Sequence, residues 1–543
     1  MILLHGEGVS RGLEHGVLRF LKRQPHAVDK RPCGDPEAEV LRFNVARLTA
    51  IDQLGALYTQ TAAKLGEEAA VFFQIHQVML EDPEYQEAVT RVIRGERVTA
   101  EYAVHQAAEK LSETFNAIQN DYMRARGADV LDISRRVLQI LSGRESIALP
   151  SGEPCILAAD DLVPSETARL DSSSILAFVT FGGSRSSHTA IFARTMGIPA
   201  VVNLSGALAA LADGMEVWVD GATGEVYAEP DDATEAKLRR RKAAEERYKA
   251  RLERYKSEPA VTKDGRRVLV CANIGTPKDL PAVDRCGADG VGLYRSEFLY
   301  LGRTSYPSEE EQYAAYRQVA EAMGDKQVVI RTLDIGADKR VAYFGLGIEQ
   351  NPAMGMRAIR ICLTRPEIFK TQLRALYRAS VHGNLCVMFP LITSVWELQK
   401  AKALCAEVRA ELASAGIPHR ADMPLGIMIE TPAAAVISDL LAKEADFFSI
   451  GTNDLTQYVL ATDRQNAAME PFCDRHHPAV LRLIQTVAES AHAAGIWVGI
   501  CGELAADPTL TAFFLDAGID ELSMTPGSVL EIRANILAPE EEL

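Results

Sequence analysis

The chain has 543 residues, 47% of them apolar, and a formal net charge of −16, which is enough for three or more globular domains with cores of their own. The surplus of acid disfavours nonspecific contact with nucleic acid or an anionic membrane and favours a basic protein partner, so an anionic small substrate would need a local pocket of arginines. Nine scattered cysteines without a CxxC pair argue against a disulfide framework or a zinc knuckle, and no run approaches the roughly 20 apolar residues of a membrane span. With no basic lead or cleavage signal in MILLHGEGVSRGLEHG, the expectation is a cytoplasmic protein without membrane insertion.

Within the first twenty residues the run GVLRFL predicts a strand that joins a later unit. From Glu37 to about Gly143, Leu41, Val45, Leu48 and Ile51 recur at a spacing of three or four, and Gly and Pro are sparse. That spacing predicts a helical bundle, expected over 21–145 as an insertion. Between Pro150 and Pro230 the runs CILAA, ILAFVT, IPAVV and MEVWVDG predict a compact α/β unit built from 1–20 and 146–230. Residues 231–259 are dense in opposite charges around a thin Leu238, Tyr248, Leu252, Tyr255 stripe, the mark of a solvated connecting helix.

From 260 to 543 eight β-type runs alternate with helix-length segments: VLVCANI, GVGLYRSEF, VVIRTLDIG, CVMFPLI, GIMIETP, FFSIGTNDL, VGICGEL and ELSMTPG. Parallel strands buried on both faces read as such continuous apolar stretches, so a closed (β/α)8 barrel is expected, with an open doubly wound sheet as its competitor. The runs end in Arg295 and Glu297, Arg331 and Asp334, Glu430, Asn453 and Asp454, Cys501 and Glu503, which a barrel would bring to one mouth. Arg295 and Arg331, with Arg357 and Arg464, would suit a small dianionic or trianionic substrate; the alternative is that each arginine only caps a barrel end through a salt bridge. Glu430 and Asp454 offer hard oxygen ligands suited to Mg²⁺, or else a carboxylate pair that serves the arginines. Cys501 could donate a proton to carbon, though buried cysteine is more often a small apolar residue.

One histidine stands apart. In GGSRSSHTAIFARTMGIPAVV, His188 opens a helical stretch that ends at a glycine, with Ser186 or Ser187 as cap. A helix N-terminus disfavours imidazolium, as a nucleophile requires, and its free N–H groups can receive phosphate oxygens. Thr167 is a candidate to bond the other ring nitrogen and fix the tautomer. The plainer reading of a lone loop histidine is a capping or surface residue.

The histidine stretch resembles the phosphohistidine signature of the PEP-utilising enzymes. GVGLYRSEFLY, IRTLDIGADK, EQNPAMGMRAIR, IMIETPAAA, DFFSIGTNDLTQY and CGELA resemble their PEP-binding barrel. Their order, behind a helical domain, is similar to the Enzyme I family of the bacterial sugar phosphotransferase system. The resemblance implies an α/β phosphohistidine domain with an inserted helical, HPr-binding domain, then a PEP-binding barrel through which two copies form a homodimer. It implies that His188 takes the phosphoryl group of phosphoenolpyruvate and passes it to the carrier protein HPr, with Mg²⁺ on Glu430 and Asp454 and Cys501 as the acid. Arg295, Arg331, Asn453 and Arg464 would hold the substrate, with Arg357 and Lys339 in the same site. FFQIHQVMLED is the expected HPr-facing stretch.

Two positions depart from the family pattern: Ser184 stands where a second glycine is usual, and Asn203 follows IPAVV where glycine is common. A pyruvate phosphate dikinase or PEP synthase would share the histidine and barrel motifs but needs an ATP-grasp domain, and the helical segment occupies that space. A PEP-binding regulator without turnover is the rival from another class.

Overall fold

The computed structural model describes residues 1–23, 28–65, 67–116, 121–143, 147–148, 153–162, 164–167, 170, 174–183, 187–204, 210–301, 303–336, 341–347, 349–463 and 466–538. They form two compact units, Met1–Glu245 and Glu246–Leu543.

The first unit contains strands β1 (Ile2–His5), β2 (Glu7–Ser10), β3 (Leu13–Phe20), β4 (Lys22–Arg23), β5 (Ile147–Ala148), β6 (Cys155–Ala159), β7 (Ile175–Thr180), β8 (Ala200–Val202), β9 (Glu216–Asp220) and β10 (Glu225–Ala228). Eight of them form one mixed sheet in the order β1-β10-β9-β3-β6-β7-β8-β2, and β4 pairs with β5 separately. The opening residues thus supply three strands of this sheet rather than one, and β3 lies at its centre, parallel to β6 and antiparallel to β9. All five residues of β6 are buried, as a strand covered on both faces requires.

Between β4 and β5 run five helices: α1 (Pro36–Leu65), α2 (Glu67–Glu81), α3 (Pro83–Glu96), α4 (Ala100–Asn116) and α5 (Asp121–Ser142). Their shared core takes one face of α1. Leu41, Val45 and Leu48 are 53–65% exposed, while Phe43, Ala46, Ala50 and Leu54 form the inner face of α1. Both sets keep helical spacing; the small alanines beside Phe43 and Leu54 let the neighbouring helices approach closely on that face. Buried His76 bridges α2 to Asp129 of α5 at 3.2 Å.

After a four-residue helix α6 (Pro164–Thr167) comes α7 (His188–Met196), and then α8 (Asp232–Leu252), within which the two units divide. On α8, Leu238 is buried with Leu13 and Trp218, so that part of the thin stripe packs into the first unit.

In the second unit eight parallel strands close into a barrel: β11 (Leu269–Ile274), β12 (Val291–Arg295), β13 (Gln327–Arg331), β14 (Asn384–Phe389), β15 (Leu425–Ile429), β16 (Phe447–Ile450), β17 (Trp497–Ile500) and β18 (Glu521–Met524). Closure is made by β11 against β18, with Leu269 opposite Glu521. The open-sheet alternative is thereby excluded. Inside, Phe447 stacks on Trp497 at 4.4 Å, and large side chains are accommodated by glycines: a Cβ at Gly292 would lie 2.2 Å from Glu521 Oε1.

Candidate functional site

The C-terminal ends of the barrel strands carry a dense array of charge. Arg295 and Arg331 end neighbouring strands in direct register. Asp334, just beyond β13, bridges two guanidiniums: its Oδ2 lies 3.0 Å from Arg331 Nη1, and its Oδ1 accepts from Arg357 Nη2 at 2.9 Å. Glu297 accepts a short hydrogen bond from Arg331 Nη2. Arg357 also reaches Asp454 Oδ1 at 3.5 Å and donates to the Tyr458 hydroxyl at 3.1 Å. Arg331, Arg357, Asp334, Glu430 and Asp454 are all buried.

Burial alone would lower Arg331, but Asp334, Glu297, Glu430 and Asp454 outweigh it and hold the guanidinium well above its ordinary value. Arg357 behaves alike, through Asp334 and Asp454. Both are therefore permanently charged donors aimed at one place.

Glu430 follows β15 and is fully buried. Its Oε1 accepts from the Leu391 N–H at 2.6 Å, and Leu391 adopts φ +56, a left-handed conformation unfavourable for a leucine, to present that N–H. The other oxygen, Oε2, has no hydrogen-bond partner among the described residues. Burial, then Asp454 and Asp334, push this carboxyl up against the pull of Arg331 and Arg357. A buried carboxylate oxygen without a partner among the described residues, beside a second carboxylate, Asp454, is the chemistry of a hard-cation site. Glu430 and Asp454 fit Mg²⁺ as two protein ligands, with water and substrate oxygens to supply the rest. Among the described residues no group of three or more His, Cys, Asp or Glu could hold a metal.

Asn453 is the second residue of the helix Thr452–Leu460, which also carries Asp454 in its first turn. Its Oδ1 accepts from the Glu503 N–H at 3.2 Å and its Nδ2 donates to Glu503 Oε1 at 3.4 Å, which ties the loops after β16 and β17 together. Cys501, directly after β17, is buried with its thiol toward the Ile450 carbonyl at 3.7 Å. Burial pushes it up to about 12, although Ser449 and Arg331 pull the other way, so the sulfur keeps its proton at neutral pH.

In the first unit His188 is the first residue of α7, as expected, and Ser187 is the N-cap, its side chain accepting from the Ala190 N–H at 3.4 Å. The helix ends at Gly197 in the left-handed conformation. Thr189 Oγ1 donates to Asp161 Oδ1 at 2.9 Å, which pins the first turn of α7. Thr167 is buried at the end of α6, and α6 packs beside α7. Asn203 has φ +56, a conformation that asparagine tolerates better than most residues, which reconciles its place where glycine is common. The His188 side chain, Ser184, Ser186, Lys339 and Arg464 lie outside the described residues.

The structure thus brings Arg295, Arg331, Arg357, Glu430, Asp454, Asn453 and Cys501 to the same end of one barrel, and His188 and Thr167 to the first unit. Asp334 and Glu297 were visible as strand-end residues, but their service to two arginines was not. The Leu391 N–H and Asp161 carried no sequence signal, and Tyr458, though it closes the DFFSIGTNDLTQY stretch, was assigned no role there.

Three family descriptions match the chain in succession: the N-terminal region of PEP-utilising enzymes over residues 5–126, their mobile domain over 151–224 and their PEP-binding domain over 249–540. The chain belongs to the PEP-utilising enzyme family. Within that family it is similar along its whole length to curated phosphoenolpyruvate-protein phosphotransferases. It is 44% identical to that of Bacillus sp. (strain S), with 99% of this chain and 94% of the relative covered. Identity to the Geobacillus stearothermophilus protein is also 44% over the same shares, and to the Bacillus subtilis (strain 168) protein 43%, with 98% and 94% covered. The family's mobile-domain description spans His188, and its PEP-binding description spans every barrel residue discussed above. All nine cysteines are free thiols, and among the described residues no helix is long and apolar enough to cross a membrane.

Proposed function

We infer that this chain is a phosphoenolpyruvate-protein phosphotransferase, Enzyme I of the sugar phosphotransferase system. It moves the phosphoryl group of phosphoenolpyruvate to its own His188 and then to HPr, and releases pyruvate. The observation that carries the reading is the convergence at one barrel mouth of buried, permanently charged arginines, an orphaned carboxylate oxygen and a protonated thiol.

In this mechanism Arg295, Arg331, Arg357, Asn453, Lys339 and Arg464 hold the phosphate and carboxylate groups. Fixed donors lower the cost of charge that develops as the phosphoryl group leaves. Glu430 and Asp454 hold Mg²⁺, which neutralises phosphate charge when bound. A lone pair of the neutral His188 imidazole forms the P–N bond while the bond from phosphorus to the enol oxygen breaks. Thr167 keeps the ring in the attacking tautomer. The electron pair left on the enolate takes the Cys501 proton at carbon, which gives pyruvate and a thiolate that solvent reprotonates. Placement of Ser187 and Asp161 at the first turn of α7 supports a fixed histidine backbone.

HPr is assigned to the helical segment. Exposed Val78, Glu81 and Asp82 in FFQIHQVMLED give a mixed apolar and acidic face for a basic partner. A homodimer through the barrel is supported by exposed Trp396, Val436 and Leu440. The protein is placed in the cytoplasm.

Incubation with phosphate-labelled phosphoenolpyruvate and Mg²⁺, without nucleotide, tests the reading. An acid-labile, base-stable phosphoprotein that HPr discharges is expected. A requirement for ATP would point to a dikinase, and an unlabelled protein to a regulator.

A further inference from the structure

Arg357 does not sit on a strand. It ends a loop whose backbone runs from Glu349 through a single-turn 3-10 helix, Pro352–Met354, and whose next residue, buried Ala358, has φ +52 and ψ −127. That combination is glycine territory, and an alanine remains there only when its surroundings enforce it. The enforcement is visible. The Ala358 N–H donates to the Ile335 carbonyl at 3.0 Å. The Glu349 carboxylate accepts from the Met356 N–H at 2.9 and 3.1 Å, and it occupies the space beside Gly355, where a Cβ would lie 1.7 Å from Oε2. Arg360 Nη1 donates to the carbonyls of Met354 and Gly355 at 2.7 and 2.9 Å.

These bonds are internal to the loop and its immediate surroundings. A different one reaches it from the far side of the mouth. Half-buried Tyr458, on the helix that carries Asn453 and Asp454, donates its hydroxyl proton to the Ala353 carbonyl and accepts from Arg357 Nη1 at 3.1 Å. Without that acceptor, Nη1 would keep only Asp454 at 3.5 Å, at the limit of a hydrogen bond.

We propose that Tyr458 is a positioning residue for the substrate site: one hydroxyl clamps the loop that carries Arg357 to the helix that carries Asp454, so the guanidinium meets the incoming anion as a fixed donor. The proposal deepens the reading of the barrel mouth as a phosphoenolpyruvate site and rests on it. Tyr458 acts through Arg357 and is assigned no contact with reacting atoms. The benefit is entropic: a donor already held in place loses little freedom when the ligand arrives.

The test is a double-mutant cycle on the full chain with Tyr458→Phe and Arg357→Ala, read by calorimetric titration of phosphoenolpyruvate with Mg²⁺ present. Tyr458→Phe should weaken binding about 10-fold, the scale of one hydrogen bond to a charged group. It should leave the melting temperature within a degree or so of wild type, as a single half-buried hydroxyl allows. In the Arg357→Ala background the same change should have almost no effect, because the partner through which it acts is gone. A merely structural tyrosine would lose the same factor in both backgrounds, and that outcome would overturn the proposal. Wild-type affinity in Tyr458→Phe would overturn it alone and leave the site assignment standing. A wild-type chain that fails to bind phosphoenolpyruvate would overturn both.

Discussion

Glu521 makes the stability of the barrel depend on pH. It opens β18 at the floor of the barrel, fully buried, with Oε2 accepting from Gln327 Nε2 at 2.7 Å and Oε1 without a partner among the described residues. Burial, helped by the charge of Asp520, pushes its carboxyl from 4.5 up to about 8. The protonated form is therefore the one the fold accepts. Below pH 4.5 this group opposes folding not at all; as pH rises toward about 8 the unfolded chain releases the proton and the folded chain does not, so stability drains across that window. At pH 7 the cost is roughly 1.4 kcal/mol for each of about 2.5 pH units, or about 3.5 kcal/mol. Glu521→Gln keeps the shape and the acceptor for Gln327 and removes the proton linkage. Its amide N–H can turn to Ser523 Oγ, which flanks the same gap beside Gly292. Urea unfolding of the barrel transition at a series of pH values should show the variant more stable than wild type by up to about 3.5 kcal/mol at pH 7, with the gap closing toward pH 4.5. Parallel pH profiles for the two proteins would refute the reasoning.

Cys501→Ala should leave single-turnover labelling of the protein by phosphoenolpyruvate nearly intact while pyruvate formation slows by roughly 10²-fold or more, followed by rapid quench. Ser187→Ala removes the cap of α7 and should cost about 0.5–1 kcal/mol in the melting of the first unit, since the bond it removes is a long one. Asn203→Ala places a less tolerant residue at φ +56 and should cost about 1 kcal/mol in the same melt.

The barrel was legible because each of its strands is buried on both faces and reads as an unbroken apolar run; all eight runs became strands, and their last residues became the mouth. The cap and start of α7 were equally legible, since Ser187 and Gly197 are local signals. What the residues alone could not supply was the partner of each charge. Asp334 serves Arg331 and Arg357 because the long connection after β13 folds back over the end of its own strand. The Leu391 N–H reaches Glu430 through a backbone conformation that nothing about leucine announces. On α1 the helical spacing was legible and the inward face was not: Leu41, Val45 and Leu48 point to solvent, because the bundle packs on Phe43 and the alanines instead.

The most direct measurement is the site of modification after brief exposure to phosphoenolpyruvate and Mg²⁺, mapped by tandem mass spectrometry under alkaline handling that preserves phosphohistidine. One phosphoryl group on His188, absent from the Glu430→Gln variant at the same metal concentration, is the predicted result. A phosphoryl group on any other side chain, or none on the wild-type protein, would contradict the account.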